Sequence, residues 1–127
     1  MIVVDTSVWV EALRKNGSEA QILRALLDDD EVLLPIPVKI ELLAGTSKRH
    51  RDALRAALTA LPLAYPTDDT WRLMESWTDR AVKAGASFGV GDLLIGAIAH
   101  EADALVWSLD DAFRRMERLQ LIDLYDA

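Results

Sequence analysis

The 127-residue chain contains no cysteine, which removes disulfides, thiolate zinc sites and cysteine nucleophiles together. Histidine occurs only twice, at His50 and His100, too few for a histidine-rich metal centre, so any metal must be held by oxygen. No apolar stretch approaches the ~20 residues that a membrane span needs. No basic segment precedes the strand-like Ile2-Val3-Val4, which follows Met1 directly, so the expectation is a cytoplasmic protein without membrane contact. Glycine and proline are scarce, at 6 and 4 residues, and with 51% hydrophobic and 28% charged residues the composition is that of a folded protein, not a disordered one. Positive charge is also short. The net charge of −7 and pI of about 4.7 weigh against a nucleic-acid partner, because neutralising phosphates supplies most non-specific affinity.

The length is that of one domain, residues 1–127, large enough to bury a core without staples. Ile2 to Val4 reads as a strand, and Thr6-Ser7 as caps for a helix over Val8 to Leu13. Ser18 is placed to cap a second helix with Ile22, Leu23, Leu26 and Leu27 on its apolar face, ending in the solvated turn Asp28-Asp29-Asp30. Val32 to Leu34 is a second strand, and Pro37 starts a helix through Glu41 to Gly45. Lys48 to Leu61 is the next helix, stopped by Pro62. A short strand follows at Leu63 to Tyr65. Thr67 or Asp68 then caps a long helix over Trp71 to Ala84, which turns Trp71 and Met74 inward, with Trp77 and Ala81 as further candidates for that face. Asp92 begins an apolar helix that is buried on most sides. Ala104 to Trp107 is a strand, Asp110 to Arg118 a short helix, and Leu121 to Tyr125 a last edge strand. Strands alternating with helices predict an α/β domain with a mostly parallel sheet of four to five short strands and helices on both faces.

Four acidic residues stand where apolar segments begin or end: Asp5 closes IVVD, Glu41 follows PIPVKI, Asp92 opens DLLIGAIA and Asp110 follows ALVWSL. A carboxylate beside such runs costs several kcal/mol to bury unless it is paired or neutralised. In an open parallel sheet the functional crevice lies beyond the carboxyl ends of the strands, where strand order reverses. Asp5 and Asp110 fall at such ends. Oxygen ligands without cysteine select Mg²⁺ or Mn²⁺, and such a site suits phosphodiester hydrolysis. A bound cation also weakens the charge objection to nucleic acid. Taken singly, each acid has an ordinary explanation: Asp5, Asp92 and Asp110 as helix caps, Glu41 as the partner of Lys39 or an arginine. Thr6, Ser7 and Ser108 are hydroxyls beside the acids, able to orient a carboxylate or water; for Ser7 capping is the favoured role.

The opening MIVVDTSVWVEAL resembles the start of PIN domains, specifically the VapC-type toxin ribonucleases of toxin–antitoxin pairs. PVKIELLAG resembles the family's second acidic motif, GVGDLLIGAIA its third and ALVWSLDDAF its fourth, where Ser108 precedes Asp110 by two and Phe113 follows. The AGASFGVG stretch before Asp92 departs from the more polar or basic loop expected there. The resemblance implies a PIN-like three-layer α/β/α domain. It carries the catalytic quartet onto Asp5, Glu41, Asp92 and Asp110, with Thr6 and Ser108 in support and a Mg²⁺ or Mn²⁺ held by Asp5, Asp92 and Asp110; Asp111 is an alternative to Asp110. The implied activity is metal-dependent endonucleolytic cleavage of structured RNA such as tRNA or rRNA, by a homodimer that a cognate VapB-type antitoxin inhibits.

Lys48, Arg49 and Arg51 form the main basic cluster and are candidate RNA contacts, although a solvated helix start explains them as well. Of the four tryptophans, Trp9 and Trp107 read as core, while Trp71 and Trp77, six apart, cannot share one helix face. Two competing functions remain. A metal-dependent phosphatase of the haloacid-dehalogenase type needs an acid two residues after Asp5, where Ser7 stands. A non-catalytic RNA- or protein-binding module gains nothing from four mutually repelling carboxylates.

Overall fold

The computed structural model describes residues 1–127. In chain order the elements are β1 (Ile2–Val4), α1 (Thr6–Arg14), α2 (Ser18–Asp28), β2 (Val32–Pro35), α3 (Ile36–Gly45), α4 (Lys48–Thr59), β3 (Leu63–Ala64), α5 (Asp68–Lys83), α6 (Val90–Glu101), β4 (Leu105–Trp107) and α7 (Asp111–Arg118). The sheet has the order β3-β2-β1-β4, and every pairing is parallel. All three residues of β1 are buried. Because successive strand residues point to opposite faces, both faces of the sheet are covered, as the near-continuous apolar strands require.

The chain lays β1, β2 and β3 side by side in one direction and then returns through α5 and α6 to place β4 on the free side of β1. The reversal therefore falls between β1 and β4, the place where open parallel sheets carry their functional sites. Beside it runs α6, with Leu93, Ile95, Gly96, Ala97, Ile98 and Ala99 all buried. At Gly96 an added Cβ would lie 3.1 Å from Met116 Sδ and 3.4 Å from the Trp77 ring, so the glycine lets α6 pack closely on α5 and α7. Fully buried Phe113 anchors α7 in the core and with it the helix start that carries Asp110.

Most sequence-derived elements appear within a few residues of their expected limits. The differences have local causes. Gly17, not Ser18, is the cap of α2. α5 begins at Asp68 with Thr67 as its cap, one of the two caps expected, and Thr67 and Thr70 form a reciprocal capping box. The buried stripe of α5 runs through Thr70, Met74, Trp77 and Ala81, which leaves Trp71 46% exposed and corrects its inward placement. The last edge strand shrinks to a single parallel bridge between Val106 and Leu124. Of the exposed acidic run, Asp28 closes α2 and Asp29 and Asp30 form the turn, with Asp30 in the left-handed region at φ 55°. No helix is long and apolar enough to cross a membrane.

Candidate active site at the strand-order reversal

Asp5 occupies the cap position of α1, and its carbonyl accepts the amides of Val8 and Trp9. Its side chain caps nothing. It is instead 5% exposed and turned toward β4, where the Ser7 and Ser108 hydroxyls both donate to Oδ2 at 2.7 Å. Each hydroxyl has one proton, already given to Asp5, so the 3.3 Å approach of the two serines is a contact and not a further bond. The serines are themselves held. The Leu109 amide donates to Ser7 Oγ at 3.0 Å and the Asp110 amide to Ser108 Oγ at 2.9 Å. The strand ends are joined below this network, where the Asp5 amide donates to the Trp107 carbonyl at 2.9 Å. A residue two before Asp110 must carry a hydroxyl because it bridges that backbone to Asp5. Both hydroxyls use Oδ2, which leaves Oδ1 without a protein donor.

Ser7 is thus a positioning group for Asp5, against the capping role favoured from sequence. Thr6 differs from it. Its buried Oγ1 has no hydrogen-bond partner, yet it lies near enough to Glu41 to favour that carboxylate's charged form. Thr6 is therefore a polar neighbour of Glu41 whose hydroxyl remains available to a further hydrogen-bond partner.

Glu41 projects from α3, which starts directly after β2, the neighbour of β1. It has no ion-pair partner, so neither Lys39 nor an arginine accounts for it. Its carboxyl is pushed up from the ordinary 4.5 by partial burial first, with Asp5 and Asp92 adding repulsion and Thr6 opposing. More than a third of Glu41 remains accessible, so this desolvation is incomplete. Asp92 lies in the first turn of α6, whose cap is Gly89, which removes the cap explanation for this acid. Burial again leads in raising its carboxyl from 3.8, followed by Asp110 and Asp5, against a lowering by Arg115. Asp5 and Asp92 each act on Glu41, and Asp5 and Asp110 each act on Asp92, which makes the four acids electrostatic neighbours.

Asp110 keeps its ordinary role as well: Oδ1 accepts the Ala112 amide at 3.0 Å and caps α7. Asp111 is exposed and pairs with Arg115 at 3.5 Å, which favours Asp110 as the fourth acid. No three of the acidic or histidine side chains converge to the spacing of an all-protein metal cage. The donor set still fits a hard cation, since Mg²⁺ commonly takes one or two carboxylates and keeps several waters, and the unpartnered Thr6 hydroxyl and Asp5 Oδ1 face that need. The largest cavity, about 600 Å³, lies elsewhere, between α2, α7 and the C-terminal residues, and meets the site only at Ser108 and Leu109.

Of the basic candidates, Arg51 is committed to the end of α3, donating to the carbonyls of Leu43 and Thr46 at 3.2 and 3.1 Å. It is a helix-end clamp rather than a free cation. Lys48 and Arg49 are exposed and form no ion pair.

The sequence profile of the PIN domain matches residues 2–119. The chain belongs to the PIN domain family. This PIN domain is 34% identical over 114 residues to ribonuclease VapC32 of Mycobacterium tuberculosis, covering 87% of this chain and 85% of the relative. It is 30% identical to ribonuclease VapC11 of the same species over 130 residues, covering 94% and 96% of the two chains. Among solved structures it resembles a chain of the VapBC2 complex of Rickettsia felis, which is bound to a DNA fragment from its promoter, with a TM-score of 0.77, 20% identity and 98% of both chains covered. The last comparison speaks to the fold, and the three-layer arrangement of this PIN domain agrees with it.

Proposed function

We propose that this PIN domain is a Mg²⁺- or Mn²⁺-dependent endoribonuclease and the toxin of a type II toxin–antitoxin pair. The observation that carries the reading is the electrostatic coupling among Asp5, Glu41, Asp92 and Asp110, in which Glu41 and Asp92 are pushed up by burial and repulsion and Asp5 is fixed by two serines. A stable fold gains nothing from such repulsion unless a cation relieves it. Asp5, Asp92 and Asp110 are the residues to hold the cation, partly through water. When bound it would lower the pKa of a coordinated water and offset charge on the phosphodiester. Ser7 and Ser108 keep Asp5 in one rotamer, and Glu41, beside Thr6, is placed to take a proton from the attacking water. The proposed substrate class is tRNA or rRNA, with the exposed Lys48 and Arg49 as phosphate contacts.

A VapB-type antitoxin is the proposed partner. Val10 and Leu13 on α1 and Ile40 on α3 are 41%, 63% and 56% exposed, an apolar surface on helices that carry the acids or follow them directly. An apolar segment of the antitoxin would cover it. Exposed Tyr65 and Trp71, at 64% and 46%, support a homodimer contact at the start of α5. A cytoplasmic location accords with this reading.

The test is cleavage of end-labelled total tRNA and rRNA by the purified chain and by Asp5→Asn, with Mg²⁺ or Mn²⁺ and with chelator. The expected result is discrete, metal-dependent cuts that fall in Asp5→Asn by more than the roughly 10–100-fold typical of outer-shell changes. No cuts, together with no calorimetric metal binding, would overturn the enzyme and favour a binding module.

A further inference from the structure

Asp92 and Asp110 stand at the starts of two different helices, α6 and α7, and a side chain outside the quartet ties those starts together. Arg115, half-buried on α7, donates from Nη1 to the Ser87 carbonyl at 3.3 Å. Its guanidinium lies over the Phe88 ring, with Cζ 5.0 Å from the centroid, and its Nε meets Asp111 at 3.5 Å. Ser87 and Phe88 lead directly into Gly89, the cap of α6, and Asp92 follows within the first turn. The same guanidinium is near enough to Asp92 to favour its charged form.

Phe88 also packs partly on the core, and the Ala86 amide donates to the Ala81 carbonyl at 2.8 Å, but Arg115 is the one side chain that hydrogen-bonds to this segment. At Gly85, Gly89 and Gly91 a side chain would meet no neighbouring atom within 4 Å, so close packing does not immobilise those positions, and Gly85 takes a left-handed φ of 71°. The two anchors at Ser87 and Phe88 come from one planar group that bonds along its edge and stacks with its face. Lysine, a point charge on a flexible stem, can do neither in that combination.

We infer that Arg115 is a positioning residue of the acidic site: by fastening the Ser87–Gly89 segment to α7 it sets the separation of Asp92 from Asp110. The inference deepens the nuclease reading, on which its cleavage readout rests. Its other two readouts stand apart from that reading.

The experiment compares wild type, Arg115→Lys and Phe88→Leu in three measurements: Mn²⁺ binding to the protein alone by calorimetry, amide chemical shifts across residues 85–92 and 108–112, and kcat and KM for RNA across a salt series. Arg115→Lys is expected to move the amides of Ser87 to Asp92, to weaken Mn²⁺ binding by about tenfold or more, and to lower kcat by a similar factor while KM and its salt slope hold. Phe88→Leu, which keeps bulk and removes the ring, shifts the same amides with a smaller loss. Unchanged amides and Mn²⁺ affinity in Arg115→Lys would overturn the inference, as would full retention of kcat. So would a raised KM with a salt slope reduced by about 0.7, which marks a phosphate contact. If Arg115→Lys disturbs amides throughout the chain, Phe88→Leu decides by the same criteria. If wild type cleaves no RNA, the nuclease reading fails while the Mn²⁺ and amide measurements still decide Arg115; if it binds no Mn²⁺ either, the amide shifts of the two variants decide alone.

Discussion

On the β1–β4 side of the crevice Asp5 is held by two serine hydroxyls at 2.7 Å, each fixed in turn by a backbone amide. On the α3–α6 side Glu41 and Asp92 have no comparable donors, and burial and neighbouring acids raise both carboxyls. The first side obtains its order from hydrogen bonds within the protein. The second is left electrostatically unsatisfied. A site that binds a cation needs both kinds of region: a ligand whose position is set beforehand, and a surplus of negative charge that the cation relieves.

The sharpest way to break the contrast is Ser108→Ala, which removes a donor to Asp5 and the acceptor of the Asp110 amide together. It is expected to lower cleavage by roughly 10–100-fold and to cost about 1–3 kcal/mol of stability, read by initial rates and urea melts. Equal rates in the two proteins would show that Asp5 keeps its place without the serine bridge.

Removing Arg51 separates a helix clamp from the site itself. Arg51→Ala should cost about 1–2 kcal/mol, from two lost bonds to carbonyls at the end of α3. The salt dependence of RNA binding should match wild type, whereas Lys48→Ala and Arg49→Ala should each flatten it. A flattened slope in Arg51→Ala would return that residue to the RNA surface.

The unsatisfied side has a pH signature. Because Glu41 and Asp92 carry raised carboxyls in the folded chain, the folded state binds more protons than the unfolded one between the ordinary and raised values. Their contribution to stability is therefore fully present below the unfolded carboxylate range, near pH 4, and is lost as pH rises through the folded values. In chelator at pH 7.5, Asp92→Asn and Glu41→Gln should melt a few degrees above wild type at most, since both groups are partly exposed. The gap should close near pH 4. Thermal melts in which these variants are less stable than wild type at pH 7.5 would contradict the repulsion.

The smallest effect belongs to Thr6→Val. The Thr6 hydroxyl has no hydrogen-bond partner, so its loss should change stability by under about 1 kcal/mol, against the larger cost of Ser108→Ala. Cleavage would fall only to the extent that Thr6 orients water beside Glu41. A destabilisation as large as that of Ser108→Ala would place Thr6 in the clamp.

Much of this arrangement was legible along the chain. Residues such as Ile2 to Val4 and the buried face of α6 have runs and periodicities that only one kind of element can bury, and Asp5, Glu41, Asp92 and Asp110 stood out because charge borders apolar sequence. Trp71 was misread because a helical stripe can also be drawn through it and Met74, whereas the packed stripe of α5 runs through Thr70, Met74, Trp77 and Ala81. Ser7 was misread because capping is a local habit of serine, whereas its actual partner, Asp5, is engaged jointly with Ser108, 101 residues away.

The same division holds for the site as a whole. The order of apolar and acidic residues determined a parallel α/β sheet and marked the four carboxylates as candidates for a site, because burial and periodicity are properties of neighbouring residues. Which hydroxyls clamp Asp5, that Arg51 is spent on α3, and that Arg115 on α7 grips the segment leading to Asp92 were decided only by the tertiary structure. Hydrogen bonds and stacking depend on where side chains meet in space, and the return of the chain across β1 to form β4 is what brings those distant residues together.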